Sequence, residues 1–145
     1  MYKTITLALT FAASTAMAQD TPGTHFIENW DLDGNGSVSV EELTERRGLV
    51  FGMFDDDENG SLDAEEYVRF DETRKADMNA NAGGHGNGNG GGRMMEGMTL
   101  AFNDADGDGN VSRDEFVAGS VGWFAMIDRN EDGSVTADDF GPRSN

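Results

Sequence analysis

Acidic side chains recur at one fixed spacing in four twelve-residue segments of this chain. The segments are 31–42, 55–66, 104–115 and 128–139, here called loops one to four. Each has Asp at position 1, Asp or Asn at positions 3 and 5, Gly at position 6, an apolar residue at position 8 and an acidic residue at position 12. Oxygen ligands so spaced surround a hard cation. The pattern therefore predicts an all-oxygen metal site in each loop, with Ca²⁺ as the leading candidate.

The distance between loops limits the helices that can position them. Loops one and two are separated only by residues 43–54, and loops three and four only by residues 116–127. Twelve residues make one helix of roughly 18 Å, which is too little for two helices and a turn. We therefore predict two fused pairs of loops, each built on one shared helix with a loop at either end.

The shared helices also predict which loops lie side by side. Because loops at opposite ends of a straight helix cannot meet, we expect loop one to pair with loop four and loop two with loop three. The alternative breaks each shared segment at its glycines, which weaken a helix by about 1 kcal/mol each, and pairs the loops within each half. The residues expected to pair are those at position 8 of each loop: Val38, Leu62, Val111 and Val135. The glycines of the shared segments are Gly48 and Gly52 in the first and Gly119 and Gly122 in the second.

Apolar residues flank the loops at helical spacing. Trp30, Phe54 and Ile127 directly precede loops one, two and four, whereas Asn103 precedes loop three. The pattern predicts an all-α fold in which each helix buries one apolar face. Since Asn103 is polar, we expect the helix that enters loop three to pack less firmly than the others. The residue just past position 12 is apolar or aromatic in every loop: Leu43, Tyr67, Phe116 and Phe140.

The start of the chain has the features of a secretory signal peptide. Lys3 precedes an apolar stretch over 4–15, and residues 16–18 form a small-x-small cleavage site. We expect cleavage of 1–18 before Gln19 and a soluble protein in the bacterial periplasm. Removal of Lys3 moves the net charge from −18 to −19, which disfavours nucleic acid and anionic membranes as partners. The chain has no cysteine, so no disulfide framework is available.

The remaining chain divides at a glycine-rich segment. Residues 79–92 contain seven glycines and are predicted to form a flexible linker. This places the first pair of loops in 19–78 and the second pair in 93–145.

The four loops resemble those of the EF-hand superfamily, over most of the predicted mature chain. The resemblance implies a helix–loop–helix fold and Ca²⁺ binding through the side chains at positions 1, 3, 5, 9 and 12 and the carbonyl of position 7. In loop one the family's ligands fall on Asp31, Asp33, Asn35, the Ser37 carbonyl, Ser39 and Glu42. In loop two they fall on Asp55, Asp57, Asn59, the Ser61 carbonyl, Asp63 and Glu66. In loop three they fall on Asp104, Asp106, Asp108, the Asn110 carbonyl, Ser112 and Glu115. In loop four they fall on Asp128, Asn130, Asp132, the Ser134 carbonyl, Thr136 and Asp139.

The loops are not expected to bind equally well. Loops two and three each have four acidic side chains at ligand positions and the other two have three, so loops two and three should bind tightest. Asp139 is one methylene shorter than the Glu at position 12 elsewhere, and Gly141 and Pro142 leave no room for a following helix. We expect loop four to be the weakest Ca²⁺ site, or to resemble a Mg²⁺ site.

The short spacing and the leader also resemble lanmodulin-type lanthanide-binding EF-hand proteins. This resemblance implies lanthanide ions as an alternative ligand. The chain departs from it at position 2, where that type has Pro and this chain has Leu32, Asp56, Ala105 and Arg129.

Two functional classes follow from metal binding. The protein is a Ca²⁺ buffer, or a Ca²⁺ sensor that exposes an apolar surface to a protein partner. Flexible methionines suit such a surface, although they also fill gaps in small cores. We expect no enzyme, because no nucleophile–base set is visible and His25 and His85 are isolated. The methionines in question are Met53, Met94, Met95, Met98 and Met126.

Overall fold

Helices make up most of the residues that the computed structural model describes, which are 21–80 and 90–141. Two very short strands, β1 (Ser61–Leu62) and β2 (Val111–Ser112), are the remaining regular elements, and a 3₁₀ turn covers Ala137–Asp139. The all-α fold class is therefore confirmed. The helices are α1 (Thr24–Trp30), α2 (Val40–Phe54), α3 (Ala64–Ala80), α4 (Gly90–Glu96), α5 (Leu100–Asn103) and α6 (Arg113–Ile127).

The two shared helices are α2 and α6, and each runs without a break from one loop to the next. Both begin with a capping box, in which the Ser at loop position 9 accepts the backbone N–H of the Glu at position 12, while that Glu accepts the backbone N–H of the Ser. Positions 9 and 12 of the loop therefore also cap the start of the helix. The shared-helix prediction is confirmed.

The alternative in which glycines break these helices is wrong. A Cβ at Gly48 would lie 3.3 Å from the Arg113 side chain, and one at Gly119 would lie 3.1 Å from that of Asn103. The helix glycines at these two positions therefore leave space for neighbouring side chains, rather than bending the backbone.

The loops pair across the two halves of the chain, as predicted. Leu62 of loop two lies opposite Val111 of loop three in the antiparallel β1–β2 pair. Val38 of loop one and Val135 of loop four exchange two backbone hydrogen bonds, of 2.8 and 2.9 Å. All four side chains are buried, so each bridge also belongs to the core.

One hydrophobic core joins both halves. Phe51 of α2 packs on Phe116 of α6 with ring centroids 5.9 Å apart, and Phe26 of α1 meets Trp123 of α6 edge-on at 6.0 Å. Phe70 of α3 also packs on Phe116, at 5.8 Å. Since these contacts cross between the halves, neither half encloses the core alone. None of the helices in the described parts of the chain is long and apolar enough to cross a bilayer.

The predicted linker, 79–92, is helical at both ends. Helix α3 continues through Ala80 and α4 begins at Gly90. The middle of that segment, with His85, lies outside the described residues, as do the predicted signal peptide and Pro142. The division into 19–78 and 93–145 stays a prediction.

Candidate metal centre

The carboxylate at position 1 organises the first turn of each loop. In loop one, Asp31 Oδ1 accepts the backbone N–H of Gly34 at 2.7 Å, and Oδ2 accepts that of Gly36 at 2.8 Å. Gly36 has φ of 88°, in the left-handed region that favours glycine, so the chain bends around the carboxylate. The position-6 N–H donates to the position-1 carboxylate in the other loops as well: Gly60 to Asp55, Gly109 to Asp104, and Gly133 to Asp128.

The carboxylate at position 12 closes each loop from the other end. Glu42 Oε1 accepts the backbone N–H of Leu32 at 2.9 Å, and Oε2 accepts that of Ser39, also at 2.9 Å. The shorter Asp139 makes the same pair of contacts in loop four, to Arg129 and Thr136, both at 2.8 Å. It does so from the 3₁₀ turn Ala137–Asp139, where the other loops have the start of an α-helix.

Three loops hold three carboxylates each close enough to share one ion. In each triplet, one oxygen per residue lies within 4.8 Å of the others: Asp31, Asp33 and Glu42; Asp55, Asp57 and Glu66; Asp104, Asp106 and Asp108. Loop four, described in full, shows no such triplet, because Asn130 takes one of the positions. Like charges this close repel one another unless a cation joins them. The donors are all oxygens, so the set fits a hard divalent cation.

A family model described as EF hand matches four stretches of this chain, residues 29–45, 48–71, 101–119 and 121–141, which together exceed half of its length. The chain belongs to the EF-hand family. It is a calcium-binding protein with four hands, each of which contains one of the loops described above. No curated protein matches the chain significantly.

Backbone and hydroxyl donors favour the ionised form of three EF-hand carboxylates. The N–H of Gly36 lowers the pKa of Asp31 below its ordinary value, and the N–H of Ser39 does the same for Glu42. The Ser112 hydroxyl lowers the pKa of Glu115. Ionised carboxylates are the form that binds Ca²⁺, so these hydrogen bonds prepare the hands for metal.

The remaining predicted ligands have defined places in the hands. At position 9, Ser39 and Ser112 are the N-caps of α2 and α6, and Asp63 accepts the N–H groups of Glu65 and Glu66 at the start of α3. Position 5 accepts the backbone N–H of position 7 in all four hands, as Asn35 does from Ser37 at 2.9 Å. The other position-7 residues are Ser61, Asn110 and Ser134, and Thr136 holds position 9 of hand four. Ligation by each individual residue stays a prediction.

A buried arginine, which was not predicted from the sequence, supports hand three. Arg47, on α2, is fully buried and donates through Nε to the Phe116 carbonyl at 2.8 Å. Its Nη2 donates to Asn103 Oδ1, and its Nη1 to the Gly97 carbonyl at 3.0 Å. Asn103 precedes position 1 of loop three and Phe116 follows position 12. One side chain from the other half therefore holds both ends of this loop.

Asn103 itself is firmly held for the same reason, and the weaker packing of its whole entering helix stays a prediction. Asn103 is 1% exposed, and its amide also donates to Tyr67 Oη at 3.1 Å and to the Thr99 carbonyl at 2.9 Å. Burial lowers the pKa of Arg47 to about 10, which leaves the guanidinium protonated at neutral pH. It stacks 4.1 Å from the centre of the Phe116 ring. The sequence signal for this buried network was Asn103, a polar residue at a position where the other hands have large apolar residues.

Proposed function

We propose that this EF-hand protein is a Ca²⁺ buffer that works in the bacterial periplasm after removal of residues 1–18. The observation that carries the proposal is the pair of shared helices. Sensor hands expose an apolar groove by changing the angle between their two helices, whereas buffer hands barely open. In this chain α2 is the leaving helix of hand one and the entering helix of hand two. A change of angle in one hand therefore has to move the other.

Contacts between the shared helices favour the same conclusion. Arg47 of α2 is bonded to the backbone of α6, and Phe51 and Phe116 pack between the two helices. The bridges at Val38–Val135 and Leu62–Val111 tie the loops at both ends. Opening any one hand would break contacts in the other half. We infer that the free energy of Ca²⁺ binding stabilises the packed arrangement of the two halves.

A fluorescent dye that binds apolar surface separates buffer from sensor. For a buffer we expect dye fluorescence to stay level or fall as Ca²⁺ is added, while the unfolding temperature rises, because ions that bind only the folded state stabilise it. A rise in dye fluorescence with Ca²⁺ would overturn the buffer proposal. A variant with Asn at Asp31, Asp55, Asp104 and Asp128 is the control without working sites.

A sensor is the second candidate, and a specific surface favours it. Met78, Met94 and Met98 line an apolar pocket together with aromatic side chains from both halves. Met53 is exposed on α2, with 72% of its surface accessible. Flexible thioethers suit adaptable protein contacts. The dye experiment decides between the two roles, because only a sensor enlarges this surface on binding Ca²⁺.

Competition among Ca²⁺, Mg²⁺ and La³⁺ tests the ligand and the order of the sites. The amide signals of Gly36, Gly60, Gly109 and Gly133 report one loop each, since each N–H contacts a position-1 carboxylate. We expect Ca²⁺ to shift Gly60 and Gly109 first and Gly133 last. If La³⁺ displaces Ca²⁺ at trace concentrations, the lanthanide alternative replaces Ca²⁺ as the physiological ligand. We propose no catalytic activity.

A further inference from the structure

A small apolar pocket lies where the two halves of the molecule meet. Its volume is about 210 Å³, and helices α1, α2, α3, α4 and α6 all contribute to its walls. Both tryptophans of the chain line it, beside phenylalanines and methionines. The apolar walls include Trp30, Phe54, Phe70, Met94, Met98 and Trp123.

One residue that lines the pocket, Arg74, is a cation that has hydrogen-bond donors without an acceptor in the described part of the chain. Arg74, on α3, lines the pocket with a side chain that is only 13% exposed. Its Nη2 donates to Asp71 Oδ1 at 2.7 Å. Its Nε and Nη1 are buried and have no hydrogen-bond partner among the described residues. A buried donor without an acceptor is unfavourable, so these two N–H groups call for an acceptor from outside the protein.

The carboxylates described around Arg74 leave two of its donors without an acceptor. Asp71 accepts from Arg74 and also from Lys75, whose Nζ lies 3.2 Å from Oδ2. One carboxylate thus faces two cations. Asp77, the acidic residue among those that line the pocket, contacts His25 at 3.1 Å. Neither carboxylate accepts from Nε or Nη1 of Arg74, so these two donors remain for an acceptor from outside the protein.

We propose that this pocket binds a small organic anion, a carboxylate attached to one aromatic ring or a short branched alkyl chain. The planar guanidinium matches a carboxylate, which would accept from one of the two unpaired groups, Nε or Nη1, and from the second hydrogen of Nη2, while the first hydrogen of Nη2 keeps Asp71. The apolar walls would enclose the ring. Pockets for drug-sized ligands span about 300–1,000 Å³, so the smaller volume here limits the occupant to a single ring or its equivalent. This site is separate from the Ca²⁺ loops and does not depend on the buffer proposal.

A matched pair of probes tests the charge requirement. Phenylpropionate and phenylpropanol have the same ring and chain, and only the first is an anion. Trp30 and Trp123 are the only tryptophans and both line the pocket, so tryptophan fluorescence reports occupancy directly. We expect the acid to bind the full protein at least about tenfold more tightly than the alcohol, because charge-assisted hydrogen bonds are the stronger kind. Titrations are run with excess Ca²⁺ and with chelator.

Two arginines on one helix supply the control. Arg74→Gln should lose the preference for the acid and keep the weak binding of the alcohol. Arg69→Gln removes the same charge from an exposed residue of α3 outside the pocket and should keep the preference. Arg74→Lys retains the charge without the planar fork, so an intermediate preference is expected, and it replaces Arg74→Gln if that variant does not fold. Equal binding of both probes, no binding in either Ca²⁺ state, or an unchanged preference in the Arg74 variants would overturn the proposal.

Discussion

At the scale of single residues, the carboxylates at position 12 hold the loop and the helix together. Glu115 Oε1 accepts from the N–H groups of Ala105 and Asp106 at the start of loop three. Its Oε2 accepts from the Ser112 hydroxyl and N–H at the start of α6. The same side chain is thus a helix cap before metal binds and a predicted ligand afterwards.

Glu115→Gln should separate these two roles. Gln retains one oxygen, which is enough to accept from Ser112 and keep the helix cap. Its NH₂ group cannot accept from Ala105 and Asp106, and the side chain lacks the charge that attracts Ca²⁺. We expect affinity at loop three to fall by at least about tenfold, read from the Gly109 amide, with the helix content of metal-free protein unchanged. Asp114→Asn, an exposed neighbour on α6, should leave loop three unaffected. An unchanged Gly109 titration in Glu115→Gln would rule out ligation by this residue.

Tyr67 predicts how stability depends on alkaline pH. Burial raises the pKa of its hydroxyl from 10.0 to about 12, since the ionised form would lose water. Below pH 10 the hydroxyl is protonated in both the folded and the unfolded state, so its contribution to stability is complete. As the pH rises from 10 toward 12, the unfolded chain releases this proton before the folded protein does, and that stability is lost. The loss attributable to Tyr67 is on the order of 2 kcal/mol.

Comparison with Tyr67→Phe isolates that effect from the lysines and arginines that titrate in the same range. The difference in unfolding free energy between wild type and Tyr67→Phe should shrink between pH 10 and 12. Tyr67 is the only tyrosine in a chain that begins at Gln19, so tyrosinate absorbance follows it alone. Ionisation of the folded protein at pH 10 would contradict the buried position.

At the scale of elements, Arg47 joins α2 to three helices that lie far from it along the chain. Its acceptors lie at the end of α4, at the end of α5 and within α6. Each is at least 50 residues away along the chain. Because the acceptors are largely neutral, the charge is satisfied by dipoles and by the Phe116 ring rather than by an ion pair.

Arg47→Met should destabilise the protein by about 2–4 kcal/mol, because it leaves Asn103 Oδ1 buried without its donor and removes one hydrogen bond each from the Phe116 and Gly97 carbonyls. Arg46→Met, which removes the same charge from the adjacent residue, should cost far less. Adding Asn103→Leu to Arg47→Met should recover part of the loss, since both polar partners are then replaced. Denaturant unfolding without metal measures all three. Additive effects of the two substitutions would show that the pair does not act together.

The main elements could be predicted from the sequence because short-range rules determine them. Twelve residues between loops allow one helix, and that helix forces Val38 toward Val135 and Leu62 toward Val111. The role of Arg47 could not be predicted, because its partners become neighbours only after the halves pack. The helix glycines were ambiguous as well: a weak point and a site of close packing look alike until the neighbour, here Arg113 or Asn103, is known.

At the scale of the whole molecule, the two halves complete each other. Both loop bridges and the packing of α2 on α6 cross between them. We predict that fragments 19–80 and 90–145, prepared separately in Ca²⁺, gain helix and unfold cooperatively only after mixing. Circular dichroism of each fragment and of an equimolar mixture measures this. Val135→Asp in the second fragment buries an unpaired charge at one bridge and should prevent the gain. Full folding of either fragment alone would contradict this dependence.

The length of a shared helix also determines how ions in one half influence each other. The fifteen residues of α2 span about 22 Å, with loops one and two at opposite ends. At physiological ionic strength the Debye length is about 8 Å, so exposed charges this far apart are largely screened. Two ions on one helix therefore repel each other little, and filling one loop does not electrostatically oppose filling the other. We therefore expect any coupling between sites to act across the β bridges, which join loop one to loop four and loop two to loop three.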